Sequence, residues 1–379
     1  MQKKIIALAI AGLASTAAFA QSNVTIYGRA DLGGMYRSGT SGDALLNSDN
    51  LGKYEIASGI QGGSRIGFKG SEDLGNGLKA IFEIEYGTAL DQNTGGNQAA
   101  TWTNRHSYVG LTGNFGTVVA GHLDGVRYGI FNAFDPFAGG TVGNFTQLTQ
   151  QVDRASNAVA YISPKFAGFG VVLAYATAIN GLESSANGRG ANATTTSIPS
   201  LAIPGVVNAV AGNNDRTLNT AMLTYDNGPI SARLDYEQVV PTNVPGKTWV
   251  ATGAFSYDLG VVKLSALVDE IKSDEQLSGR PALDQVSWFI GAKAPVGKFT
   301  LKAVGGQMLQ KTVGASEDRD AWKVGVGADY NLSKRTNLYA TYGYIHNDKL
   351  AAIQLSPAAN SNGGGYGTSG FDFGIAHNF

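Results

Sequence analysis

The sequence predicts an all-β protein, a 16-stranded antiparallel transmembrane β-barrel, and three observations carry that prediction. Apolar and polar residues alternate with a period of two along many segments of the 379-residue chain. Short turn signals alternate regularly with long polar connections. Beyond the first twenty residues, no apolar run reaches the roughly 18 residues that a membrane helix needs.

Composition narrows the function classes. Charged residues are 15% of the chain, with 28 Lys and Arg against 29 Asp and Glu. A nucleic-acid binder usually carries a basic excess, so that class is excluded. The absence of Cys excludes a disulfide framework and any Cys-based metal site. Gly, at 52 residues, has no triplet period, and 9% aromatics is too rich for a disordered chain.

Residues 1–20 have the layout of a cleaved signal peptide. Lys3 and Lys4 precede the apolar run Ile5 to Leu13, and Ala18-Phe19-Ala20 offers the small-x-small cleavage pattern. The mature chain is therefore expected to start at Gln21 as an exported protein, with residues 21–379 forming one barrel domain.

The first mature segment sets the pattern. Val24, Ile26, Gly28, Ala30 and Leu32 share one face, and Thr25, Tyr27, Arg29 and Asp31 the other. Arg65 to Ser71 repeats the alternation. In Leu78 to Tyr86, Lys79, Glu83 and Glu85 oppose Leu78, Ala80, Phe82, Ile84 and Tyr86, with Ile81 out of phase. Trp322 to Tyr330 and Phe371 to Phe379 do the same near the C-terminus. Seven short turns separate the segments, near 73–77, 113–116, 163–168, 226–229, 258–260, 295–297 and 331–335. Eight longer connections lie near 38–62, 88–102, 124–153, 179–215, 240–247, 271–284, 311–320 and 348–369. Together they join sixteen strands, and the ten prolines fall in the connections or at their edges, where a missing N–H harms no ladder.

An even strand number with short turns on one side and long loops on the other is the plan of an outer-membrane barrel, with periplasmic turns and extracellular loops. Lipid offers no hydrogen-bond partner, so a spanning sheet must close. A soluble β-sandwich would also alternate, but its core would then hold many unpaired charges, which is costly. The same charges are stable in a water-filled lumen. Aromatic residues agree with two interfacial girdles: Phe115, Phe166, Phe169, Tyr257, Phe299 and Tyr330 flank the short turns, and Tyr36, Tyr86, Trp102, Tyr175, Trp249 and Tyr344 lie toward the long loops.

The third long connection, Asp124 to Asp153, departs from the others. Tyr128, Ile130, Phe131, Phe134, Phe137 and Phe145 suit a loop folded inward and packed on the barrel wall, where it would narrow the channel. Alternation puts Arg29, Arg65 and Lys69 on lumen faces; Arg105 and Arg154 are added to that wall with their phase open. Glu83 and Glu85 share a face and are expected to pair with the arginines. Asp124, Asp135 and Asp153 are the acids the loop offers. Six cations (Arg29, Arg65, Lys69, Arg105, Arg127 and Arg154) against six acids (Asp31, Glu83, Glu85, Asp124, Asp135 and Asp153) leave the sign of the field undecided.

Several stretches resemble the trimeric general porins of Gram-negative outer membranes, in particular their β-proteobacterial branch: VTIYGRADLGGMY from Val24, GSRIGFKGSEDLGNGLKAIFEIEYG from Gly63, NRHSYVGLTGNFGTVVAG from Asn104, DPFAGG from Asp135 and the terminal FDFGIAHNF. The resemblance implies a homotrimer, an inward third loop and passive diffusion of ions and small hydrophilic solutes, with a weak lean toward anions. It implies pore-constriction roles for Arg29, Arg65, Arg105, Arg154, Glu85 and the third-loop acid Asp135, beside Lys69 and Glu83 read from alternation. Phe379 looks like the family's signal to the outer-membrane assembly machinery; lipid and lipopolysaccharide are the expected surroundings. One departure is His122, where the family often has Arg. No cofactor or metal is expected. An enzyme is the rival class, but its motifs are missing: no G-x-S-x-G, H-E-x-x-H or P-loop occurs, and only His106, His122, His346 and His377 could serve as a base. A solute-specific channel or a phage receptor is the third class.

Overall fold

The computed structural model describes residues 23–38, 53–91, 102–149, 151–179, 216–241, 246–273, 283–312, 318–348, 351, 353, 355 and 368–379. The expected leader lies outside the described residues, as do parts of the long loops. The described strands are β1 (Asn23–Ser38), β2 (Lys53–Ser58), β3 (Arg65–Gly75), β4 (Leu78–Thr88), β5 (Trp102–Gly113), β6 (Gly116–Asp124), β7 (Arg154–Ile162), β8 (Phe169–Ala176) and β9 (Arg216–Asn227). They continue as β10 (Ile230–Pro241), β11 (Thr248–Asp258), β12 (Lys263–Ser273), β13 (Leu283–Val296), β14 (Phe299–Thr312), β15 (Ala321–Asn331), β16 (Thr336–Asn347) and β17 (Ser369–Asn378).

Each strand from β3 onward pairs antiparallel with the next, and β17 returns to β1, from Arg29↔Asn378 to Ser38↔Ser369. The barrel is closed. Its other β1 neighbour is split: β3 pairs with Asn23 to Arg29, and β2 with Leu32 to Arg37. β2 and β3 are thus two halves of one stave, interrupted by residues 59–64, and the barrel has sixteen staves. This corrects the expected first loop, 38–62, which contains β2. The signal there was real but short: Tyr54 and Ile56 point outward and Glu55 inward, over only six residues.

The side-chain pattern is that of a membrane barrel. On β1, Ile26 is 60% exposed while Asp31 is fully buried. Val109, Leu234, Val268, Ile290, Val326 and Phe373 are likewise exposed, whereas Thr252, Asp269, Gln285, Ser287, Thr341 and Asp372 are buried on the inner side. A water-soluble fold would invert this arrangement; lipid tails make the exposed stripe favourable. No helix among the described residues is long and apolar enough to cross a membrane, so the strands make the crossing.

The interior is filled on one side by the third loop. Its helix Val126–Phe134 buries Arg127, Ile130, Phe131 and Phe134, which recur at the spacing of one helical face. Phe131, Phe134, Phe137 and Phe145 belong to one buried cluster with Leu267 of β12, Phe289 of β13, and Val304 and Met308 of β14. Phe145 and Phe289 have ring centroids 5.0 Å apart. The inward course expected from the loop's aromatics is what the structure shows.

Candidate functional site

The third loop is held to the wall by buried polar side chains. Arg127 donates to Asp269 Oδ2 (2.7 Å) and to Thr252 Oγ1 (3.0 Å). Thr149 Oγ1 donates to the same Asp269 oxygen at 2.6 Å. Ser287 Oγ donates to the Leu148 carbonyl at 2.6 Å, and the Val142 N–H donates to Asp372 Oδ2 at 2.6 Å. Lys323 reaches the Asn144 carbonyl and the Gln147 side chain. The Thr141 N–H donates to the Ile60 carbonyl at 2.6 Å, tying the loop to the insertion between β2 and β3. Lys323, Asp372, Asp269 and Ser287 were not singled out from the sequence. Their signal is inward phase on late strands, which marks them as lumen-facing but not as loop anchors.

Facing the loop, β1, β3, β4, β5, β6 and β7 bring a charged cluster together. Glu85 is the hub: Arg105 Nε lies 2.6 Å and Arg65 Nε 3.2 Å from its two oxygens. Glu83, on the same face, accepts from the Tyr27 hydroxyl (2.5 Å) and the Tyr108 hydroxyl (2.8 Å) and meets His106 Nε2 at 3.2 Å. His106 Nδ1 stands 3.2 Å from Asp124, which pairs with Arg154 at 3.0 Å. Arg29 pairs with Asp31 at 3.2 Å and donates to Gln61 at 2.7 Å. Tyr128 of the loop helix reaches across: its hydroxyl is 3.4 Å from Arg105, and the Arg154 guanidinium lies 5.3 Å from its ring centroid. Lys69 is exposed, with Nζ 5.0 Å from the Tyr27 ring centroid.

Arg105 owes its place to a β-bulge. Glu85 pairs with His106, but the next residue, Tyr86, pairs with Asn104, so Arg105 is the extra residue. A bulge re-aims side chains, which is why both Arg105 and His106 reach the two glutamates. Gly63 leaves room for it: a Cβ there would lie 2.8 Å from the Arg105 guanidinium.

Of the residues the sequence singled out, the structure brings together Arg29, Arg65, Glu83, Glu85, Arg105 and Arg154, with Lys69 on the same wall. Asp135 is a correction. Its carboxylate is buried and accepts from the Phe137 and Phe145 N–H groups, each at 2.9 Å, so it organises the loop's own backbone and does not face the channel. Burial pushes its carboxyl up from the ordinary range. Arg127 is buried as an anchor, as described above. Asp124 and Asp153, at the two ends of the loop, keep exposed surface; between them the open surface of the described loop residues is neutral, with Gly129, Ala133 and Ala138 exposed. His122 hydrogen-bonds Ser156 Oγ at 3.0 Å. Phe379, nearly half exposed, closes the seam between the chain ends: it exchanges two 3.1 Å backbone bonds with Gly28.

Glu83, Glu85 and His106 could each offer a ligand atom within 4.8 Å of one another. Two guanidiniums already engage Glu85, and three donors surround Glu83, so the donor set is that of a satisfied ion-pair network.

Comparison with known proteins agrees with this geometry. The profile of the Gram-negative porin family matches residues 7–350. Outer membrane porin protein 32 of Delftia acidovorans is 32% identical, with all of both chains covered. The major outer membrane protein P.IB of Neisseria gonorrhoeae is 31% identical over 95% of this chain and 98% of its own. Among solved structures, an anion-selective porin from Comamonas acidovorans superposes with a TM-score of 0.73 at 27% identity, covering 95% of this chain and all of its own.

Proposed function

The chain belongs to the Gram-negative porin family and is an outer-membrane channel for passive solute diffusion; from that premise we propose that Arg29, Arg65, Lys69, Arg105 and Arg154 form the selective wall of its constriction and favour anions. The observation that carries this is which charges meet water. Of the twelve groups weighed from the sequence, five cations keep exposed surface, but only three acids do: Glu83, Asp124 and Asp153. Asp31, Glu85 and Asp135 are buried, and so is Arg127. The guanidiniums of Arg65 and Arg105 therefore face the lumen over a carboxylate that does not. Screening acts over about 8 Å at physiological salt, so fixed charges lining a narrow passage still set ion preference. The known selectivity of the Comamonas porin supports the same sign.

The expected field between an arginine wall and an acidic loop takes a different form. The exposed carboxylates, including Asp124 and Asp153 at the two ends of the loop, lie among the arginines, and the loop between those ends opposes them with a neutral edge. Solutes are selected by the wall's net positive surface and by the loop's steric limit. The protein acts as a homotrimer in this proposal, embedded in lipid and lipopolysaccharide.

Recording in planar bilayers tests these points together. Insertion of the native protein should give current in steps of three, and a salt gradient should give a reversal potential of anion-preferring sign. The double change Arg65→Ala and Arg105→Ala uncovers Glu85 and should move the reversal potential toward cations, with trimers still present on unheated gels. A native channel that prefers cations, or a double variant with an unmoved potential, would contradict the assignment. Phe379 is assigned the assembly signal: a chain lacking it should fold in detergent yet fail to accumulate in the outer membrane.

A further inference from the structure

Behind the loop helix, on the wall opposite the arginine cluster, the barrel encloses a second set of charges. Asp235 and Glu237 lie two residues apart on β10 and so share its inner face. Asp235 is level with Thr252 of β11, and Thr252 with Asp269 of β12. Glu237 is level with Thr220 of β9. Asp235, Glu237, Asp269 and Thr220 are all more than nine-tenths buried.

The charges there do not balance. Arg127 is the cation among them; its guanidinium is engaged by Asp269, and its backbone N–H donates to Glu237 at 3.4 Å. Arg233, on the same face of β10, is committed to Asp226 at 3.0 and 3.2 Å. Ionised together, three carboxylates against one guanidinium would leave an excess of two negative charges among the described residues. The missing partners have definite positions. Both oxygens of Asp235, the Oδ1 of Asp269 and the hydroxyl of Thr220 are buried with no hydrogen-bond partner. A buried charge without a partner is strongly unfavourable, and a buried polar group without one needs an explanation.

We propose that Asp235, Glu237 and Thr220 form a binding site for one divalent cation of the calcium class. The charge that Asp235 and Glu237 would carry when both are ionised equals that of such an ion. The donors are all oxygen, which suits a hard cation, and they differ in kind: two carboxylates and a hydroxyl, with room in the coordination shell for water. Calcium accepts six to eight oxygens in irregular geometry, whereas magnesium demands a near-octahedral set and dehydrates reluctantly. Through Glu237, which holds the Arg127 N–H at the start of the loop helix, the ion would fasten the third loop to β9 and β10. The site is independent of the arginine cluster and of the selectivity proposed for it.

The test uses the full mature chain refolded without lipopolysaccharide, which removes the other strong calcium binder. Because the site is enclosed, calcium is supplied during refolding, free ion is removed by desalting, and bound metal is measured by atomic emission. The native chain should retain about one calcium per subunit and unfold at a higher temperature than the same chain refolded with a chelator. Asp235→Asn should retain none and unfold at the same temperature either way. Should that variant fail to fold, Thr220→Val removes one neutral ligand and should raise several-fold the free calcium needed for half occupancy. Native protein that retains no calcium overturns the proposal. So does a folded Asp235→Asn, or a Thr220→Val, that binds calcium as the native chain does. Stability that rises on acidification, with no calcium retained, would show instead that Asp235 and Glu237 share a proton.

Discussion

At the scale of single residues, the site turns on Glu85. It is buried beneath Arg65 and Arg105, and its charge cancels part of theirs where solutes pass. Glu85→Gln keeps the volume and one carbonyl acceptor but removes the charge. Two guanidiniums then stand together unneutralised. The expected outcome is a reversal potential shifted further toward anions, with a lower unfolding temperature from their mutual repulsion; a salt-gradient recording and a melting curve measure both. A shift toward cations would mean that Arg65 and Arg105 collapse out of the lumen once their anchor is gone. Most members of this cluster were legible because strand phase has a period of two. Arg29, Arg65, Glu83 and Glu85 follow from it directly. Arg105 does not, because a bulge resets the phase at that residue, and sequence alternation cannot count an unpaired residue. Asp135 was misplaced for a different reason. An acid in a loop reads as solvated, and the two backbone N–H groups that hold it inside appear only once the loop has turned back on itself.

At the scale of elements, the third loop depends on a floor without side chains. On β15 and β16, Gly325 and Gly343 are paired in register beneath the loop tip. A Cβ on Gly325 would lie 2.4 Å from the Gly143 carbonyl oxygen, and one on Gly343 would lie 2.3 Å from that of Val142. These are backbone atoms and cannot swing aside, so a methyl group must lift the tip. Gly325→Ala is expected to cost about 1–3 kcal/mol, the range for overpacking a filled site. It should also change single-channel conductance, since lifting the buried tip displaces the loop whose exposed edge includes Ala138. Gly253→Ala on β11 is the control, because its Cβ would meet a Val268 methyl at an ordinary 3.7 Å. Equal behaviour of the two variants would show that the loop does not rest on this floor. The strand and turn boundaries were legible almost throughout, because turn chemistry is local. The loop's helix was less so: Arg127, Ile130, Phe131 and Phe134 have helical spacing, yet nine residues between two strands read first as an aromatic loop. Its anchors were not legible at all. Asp269, Ser287, Lys323 and Asp372 act over separations of more than a hundred residues, and no local pattern encodes that.

At the scale of the whole molecule, the barrel stands or falls by its outer surface. The apolar side chains that a soluble protein would hide are turned outward, and the polar ones are kept for the lumen and the loop anchors. Ile290, near the middle of β13 and 62% exposed, tests this directly. Its neighbour Phe289 points inward and is buried against the third loop, so the two adjacent residues sample the two environments. In water, replacing an exposed Ile by Arg would be neutral or helpful. In the middle of a bilayer it should cost about 2–4 kcal/mol. Ile290→Arg is therefore expected to reduce folding into lipid vesicles, read as the fraction of heat-modifiable trimer, and to do so more severely in thick bilayers than in thin ones, where the side chain reaches the headgroups sooner. If the variant instead folded as well as the native chain in every bilayer, Ile290 would not face acyl chains. The period-two reading that places it there also orients Arg29 and Glu85, so their assignment to the channel would lose its support as well.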